Sequence, residues 1–179
     1  METITIQIIQ EDVYEEVAKA TDYTGSKLID GDDGARDRIL AADEDLAELG
    51  RFWEESVLAT NENLKEMLVS GRTKFITPTL EPIAPQPGIA AVQTDVSIRP
   101  TLNEIGYEAV IEVSKSFDKV LTASVQSTLR SFFIASIIGQ WFKFANKGEA
   151  KDYFAQAADM METAERLLYS RRKPTRPTD

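Results

Sequence analysis

The stretch from Val125 to Ala145 constrains this chain more than any other. Its centre reads Phe132-Phe133-Ile134-Ala135-Ser136-Ile137-Ile138-Gly139-Gln140-Trp141-Phe142-Lys143-Phe144. At helical period, Ser136, Gln140, Lys143 and Lys147 fall on one narrow polar stripe, and nearly everything else around the helix is apolar. A helix with so thin a polar stripe has to be covered over most of its circumference. The pattern predicts the central helix of a bundle or of an assembly. The apolar run from 132 to 145 is about fourteen residues and includes Ser, Gly, Gln and Lys. It falls short of the roughly twenty residues of a membrane span, so a soluble protein with no membrane partner is expected.

Taken in order, Thr3 to Ile9 alternate, with Ile4, Ile6 and Ile8 on one face and Thr3, Thr5 and Gln7 on the other, the pattern of a half-buried strand. Gln10-Glu11-Asp12 opens a short helix with Val13, Val17 and Ala20 inward, expected to end before Gly25. Gly25 to Gly34 reads as a loop. A calcium-loop count from Asp30 fails, because Ala35 and Ala41 stand where glycine and a bidentate glutamate are required. The acids of this loop are assigned to a turn, with Asp32 or Asp33 capping the next helix. That helix is expected from about Ala35 toward Leu68, with Ile39, Leu46, Leu49, Trp53, Val57 and Leu64 on its apolar face and Trp53 in the core.

Residues 70–100 change character. Pro78, Pro82, Pro85, Pro87 and Pro100 forbid a continuous helix. Phe75-Ile76-Thr77 and Val92 to Ile98 read as short strands joined by the proline-stiffened segment Glu81 to Gly88. So long an insertion between helices suggests an arm that reaches a neighbouring subunit, with Pro82, Ile83, Pro85 and Pro87 as its contact residues. Thr101 and Glu104 have the spacing of a capping box, and Leu102, Ile105, Ala109, Val113, Phe117 and Val120 suggest a helix leading toward the central one. Asn146 and Glu149 form a second such pair before a last helix over about 149–170, striped by Ala150, Phe154, Ala157, Met161, Ala164 and Leu168. The chain leaves through Arg171, Arg172, Lys173, Pro174, Arg176 and Pro177, an extended basic tail. The expected fold class is therefore mainly α. It is a single helical-bundle domain over 1–170, with a small β excursion (a short N-terminal strand plus strands within 74–99), an arm at about 70–100 and an extended tail over 171–179.

Charge and missing chemistry narrow the function. The 179 residues carry a net charge of −10. The last nine hold four cations against Asp179, a net +3, so the remainder carries −13. Such a body resists nonspecific binding to nucleic acid, while its tail suits an acidic protein neighbour. With neither cysteine nor histidine, thiol catalysis, disulfides, Ser-His-Asp triads and the usual zinc and di-iron sites are excluded. No phosphate-binding loop, dinucleotide fingerprint or nucleophile elbow is present. No enzyme activity, cofactor or metal is expected.

The order of elements, with Trp141-Phe142-x-Phe144-Ala145-Asn146, Glu149-Ala150-x-x-Tyr153 and Leu167-Leu168-Tyr169-x-Arg171-Arg172-Lys173-Pro174, resembles tailed-phage head–tail connector (adaptor) proteins. It is also similar to structural proteins of phages and prophages of Bacteroidetes-type bacteria. The resemblance implies a small, catalytically silent virion protein made in the host cytoplasm and located at the head–tail junction. It would form a twelve-fold homo-oligomeric ring between the portal protein and tail or other connector proteins, with phage DNA passing through the channel without specific binding. Arg171, Arg172, Lys173 and Arg176 would then join the proline arm in contacting adjacent subunits. The alternative is a bacterial helical-bundle protein that binds a partner or a small apolar ligand, with Trp53, Trp141 and Phe142 lining its pocket.

Overall fold

The alternating isoleucines at the N-terminus do form a strand, β1 (Glu2–Ile9), with Ile4, Ile6 and Ile8 buried. The chain passes without a loop into α1 (Gln10–Leu28), whose first turn carries Glu11 and Asp12 where the helix dipole favours acids. The computed structural model describes residues 1–28, 41, 45–76 and 104–171. Over these, α2 (Leu46–Asn63), β2 (Leu68–Ile76), β3 (Glu104–Val113), a 3-10 turn (Lys119–Leu121), α3 (Thr122–Ala145) and α4 (Lys147–Leu168) follow in order.

The fold is mixed α/β, which corrects the helical-bundle expectation. The three strands form one antiparallel sheet in the order β1-β3-β2. The central strand is β3, in the stretch where a helix was expected over Ile105, Ala109 and Val113. A spacing of four residues fits a helical turn and also fits two strand repeats, so those three positions alone do not distinguish the two. Tyr107 and Ile111 do. They share the face of Ala109 and Val113, all four are buried, and a helix would turn Tyr107 and Ile111 away. Pairing confirms the period: Ile4 faces Ile111, Ile6 faces Ala109 and Ile8 faces Tyr107. The β content is therefore not an excursion but one of the fold's two layers, with the helices on one face of the sheet.

Other boundaries move for local reasons. Instead of ending before Gly25, α1 continues to Leu28. The expected long helix toward Leu68 stops at Asn63, and the chain turns through Leu64–Met67 into β2. β2 is longer than the short strand expected around Phe75, and a bulge at Val69 separates Leu68 from Ser70 in its pairing. The loop acids Asp30, Asp32 and Asp33, the strand expected over Val92 to Ile98 and Thr101 lie outside the described residues, while Glu104, the other half of the expected capping pair, begins β3 rather than a helix.

The stretch that dominates the sequence is indeed central. As α3 it packs on β1, α1, α2 and α4. Val125, Leu129, Phe133, Ile137, Ile138 and Phe142 are all buried. Phe133 sits in the middle, with ring centroids 4.8 Å from Trp53 and 5.4 Å from Tyr107, tying α2 and β3 to the central helix. By length and composition alone, Lys119–Lys143 is long and apolar enough to cross a membrane, at a mean hydropathy of 1.2. Most of its large apolar side chains are buried inside the fold, while Val120 near its start is exposed. A single residue, Asn146, turns the chain between α3 and α4. Its amide donates to the Phe142 carbonyl at 2.8 Å, and its Oδ1 accepts from the Glu149 amide at 3.3 Å, the capping contact expected from the sequence.

Candidate functional site

Two chains of polar side chains join the layers of the fold. Trp53 Nε1 donates to Thr73 Oγ1 at 3.1 Å, and Thr73 Oγ1 donates to Glu54. Tyr107 Oη donates to Asn61 Oδ1 at 2.8 Å while Asn61 Nδ2 donates to the Gly71 carbonyl at 3.0 Å. Both chains fasten α2 to the sheet. Desolvation pushes the phenols of Tyr107 and Tyr14 well above their ordinary range, Tyr14 to about 12 with a smaller contribution from Glu54. Neither is a proton donor or acceptor near neutral pH. Among the described residues no three Asp or Glu side chains are placed to hold a metal ion.

What remains is surface. On the sheet face away from the helices, Gln7, Glu108 and Lys74 form a row across all three strands. Gln7 Nε2 donates to Glu108 Oε2 at 2.9 Å, and the Lys74 ammonium pairs with Glu108 Oε1. The hydrogen bonds from Lys74 and then from Gln7 hold the Glu108 carboxyl below its ordinary value, against a smaller upward push from burial. The row closes across the strands rather than aiming at a ligand. A groove of about 580 Å³ between the starts of α1 and α3 is lined by Asp12, Lys119, Val120, Gln126 and Arg130, with Arg130 Nη2 donating to the Asp12 carbonyl at 3.2 Å.

The third feature is a furrow beside α3. Ala59, Asn63, Phe132, Ser136 and Met161 line a groove of about 440 Å³. Lys143, Lys147, Ala150 and Lys151 line an adjoining one of about 530 Å³, and Phe154 borders both. Part of the polar stripe read in the sequence therefore faces this furrow. Ser136 is buried in it and accepts from Ser56 Oγ at 3.0 Å. Phe154 was assigned to the inner stripe of the last helix, yet it is 41% exposed. Its ring lies over Gly139, where a Cβ would come within 3.0 Å of Phe154 Cδ1, so a side chain at 139 would displace it.

The expected contact residues divide between two regions. Pro82, Ile83, Pro85 and Pro87, with Arg172, Lys173 and Arg176, lie outside the described residues. Arg171 is exposed, and its backbone forms an antiparallel bridge with Phe117. The roots of both extensions are described. Ile76 and Glu104, which bound the proline segment, face each other across β2 and β3. The tail begins beside Phe117, four residues beyond Val113 at the opposite end of β3. Of the alternative pocket, Trp53 and Phe142 are fully buried, Phe142 is stacked on Tyr153 at 6.0 Å, and Trp141 is half-buried. None of the three lines a groove described above. Comparison with known proteins gives no match: no family model, no curated protein and no solved structure is similar to this chain.

Proposed function

We propose that this is a non-enzymatic structural protein of a tailed-phage virion, a head–tail connector that assembles as a homo-oligomeric ring between the portal protein and tail components. The observation that carries the reading is the separation of the two roots. The proline segment leaves and re-enters at one end of β3, the basic tail leaves beside the other, and a strand of ten residues is ~30 Å long. A subunit extended from opposite ends is suited to head-to-tail contacts, in which each copy grips the next and is gripped by the one before. The buried tyrosines and the strand-to-strand pairing of Glu108 are consistent with a body built for packing rather than for chemistry. A body of net negative charge favours passage of DNA without adhesion.

The test is the mass and shape of the full chain, and of a chain ending at residue 170, by light scattering and electron microscopy, with and without the portal protein of the same genome. Rings that require the tail, formed alone or only on the portal, are expected. A protein that never forms rings and ignores the portal would overturn the connector reading.

A further inference from the structure

On α4, Lys147, Lys151, Phe154, Ala158, Glu162 and Glu165 lie on one strip of the helix surface at 3.6 residues per turn. All are exposed except Glu165, which is half-buried, and the strip borders the furrow beside α3. Its charges run the wrong way for the helix that carries them. Cations stand near the N-terminus and carboxylates in the second half, opposite to what the helix dipole favours. Off the strip the same helix follows the dipole, with Glu149 in its first turn and Arg166 in its last. Lys147, Lys151, Glu162 and Glu165 have no ion-pair partner among the described residues. Helix stability therefore does not account for this order of charges.

A second copy does. We propose that this strip docks antiparallel on the same strip of another copy, giving a two-fold dimer. Antiparallel pairing of Lys147 with Glu165 is centred at residue 156, Phe154 with Ala158 is centred there too, and Lys151 with Glu162 is centred half a residue away. Three independent pairs thus share one two-fold axis, which is the self-complementarity an isologous contact requires. Ala158, with Ala155 beside it, lets the helices approach closely, and Phe154 supplies the apolar centre between the charge pairs. The strip is ~27 Å long and ~10 Å wide, a small footprint even with the α2 rim at Ala59 and Asn63, so the dimer is weak and sensitive to salt. This contact goes beyond the ring. It saturates at two copies and does not use residues 171–179, so it survives truncation at residue 170, and its failure leaves the connector reading untouched.

The experiment is sedimentation or light scattering, over a concentration series, of the full chain and of the chain ending at residue 170, in which tail-dependent rings are absent and the dimer remains. Dimers are expected at low salt, with dissociation rising severalfold at high salt. The double variants K147E/K151E and E162K/E165K should each raise the dissociation constant at least about tenfold. Mixing the two, or combining all four changes in one chain, should restore the dimer. Circular dichroism checks that each variant is folded. A spin label on Gln156→Cys, an exposed position on the side of α4 away from the strip, in a chain with no other cysteine, provides a readout that leaves the strip intact. Antiparallel pairing centred at residue 156 puts the two labelled positions level along the axis on the outer sides of the paired helices, so one dipolar distance of roughly 25 Å is expected. A monomer at every concentration, a dimer indifferent to both reversals, or a dimer without that coupling at position 156 would each overturn the proposal.

Discussion

Replacing Gly106 by alanine separates the strand from the helix by the sign of its effect. In β3, a Cβ at position 106 would come 2.5 Å from the carbonyl oxygen of Ile8 and 2.5 Å from Cδ1 of Ile76, 0.9 Å inside the 3.4 Å where ordinary contact begins. The isoleucine methyl can swing aside. The Ile8 oxygen belongs to the β1 backbone paired with β3, so yielding there means displacing a strand. Overpacking of this kind costs about 1–3 kcal/mol, and the lower entropy of the unfolded alanine chain offsets about 0.4–1 kcal/mol of it. A net loss of ~1.5 kcal/mol is expected. If residues 104–120 were helical, the same change would stabilise by ~1 kcal/mol, because alanine is the better helix former. Equilibrium urea unfolding, followed by tryptophan fluorescence and far-UV circular dichroism, gives the answer. With a slope of ~2 kcal/mol per molar urea, the midpoint should fall by ~0.7 M. Gly50 in α2 is the control, since a Cβ there meets nothing within 4 Å. Gly50→Ala should raise the midpoint by a few tenths molar. A Gly106→Ala midpoint at or above that of the parent would refute the packing argument.

Three further outcomes follow from buried or paired polar groups. Ser56 and Ser136 share a buried hydrogen bond, so Ser56→Ala and Ser136→Ala should each cost ~1 kcal/mol and the double variant less than their sum in a urea double-mutant cycle; strict additivity would mean that the bond contributes nothing. The folded-state carboxyl of Glu108 titrates below its ordinary 4.5, so its stabilisation is fully present above that value and is lost as pH falls through the lowered one. Glu108→Gln should therefore destabilise by up to ~1 kcal/mol at pH 7, after allowance for solvent screening, and by less at pH 3; an equal gap at both pH values would contradict the assignment. Tyr14 Oη is buried without a hydrogen-bond partner among the described residues, so Tyr14→Phe should be neutral or stabilising by up to ~1 kcal/mol. Ultraviolet titration of the parent should show one phenol more, ionising near pH 12, than the variant does. A clear loss of stability would reveal a partner for the hydroxyl.

Legibility followed the uniqueness of each pattern. Ile4, Ile6 and Ile8 alternate with polar residues and admit only a strand, and β1 was read almost to the residue. The cap at Asn146 is legible because a side-chain oxygen followed three positions later by Glu149 is a local signal and a helix does follow it, whereas the same spacing at Thr101 and Glu104 precedes a strand. Over Glu104–Val113 the apolar positions Ile105, Ala109 and Val113 fall every fourth residue, where the helical and strand periods coincide, so by themselves they do not identify the strand. Tyr107 and Ile111, with β-branched Val110 and Val113 beside them, are the residues that favour the strand. The furrow and the strip on α4 were only half legible. The stripe on α3 and the lysine and glutamate spacings stand in the sequence, but Phe154 looked like core because its position fits the apolar stripe.

From the sequence alone, one helix had to be enclosed, because residues 125–145 carry too few polar side chains to face water on more than a narrow stripe. It also ruled out thiol and imidazole chemistry, for want of the residue types. What encloses the helix was a tertiary matter. Three strands far apart in the chain pair edge to edge, and no local window contains that pairing, since Ile4 meets Ile111 across more than a hundred residues. Only the packed structure could decide that Ser136 is bonded inside while Phe154 lies half outside. Those exposures depend on where α2 crosses α3 and on the space left over Gly139.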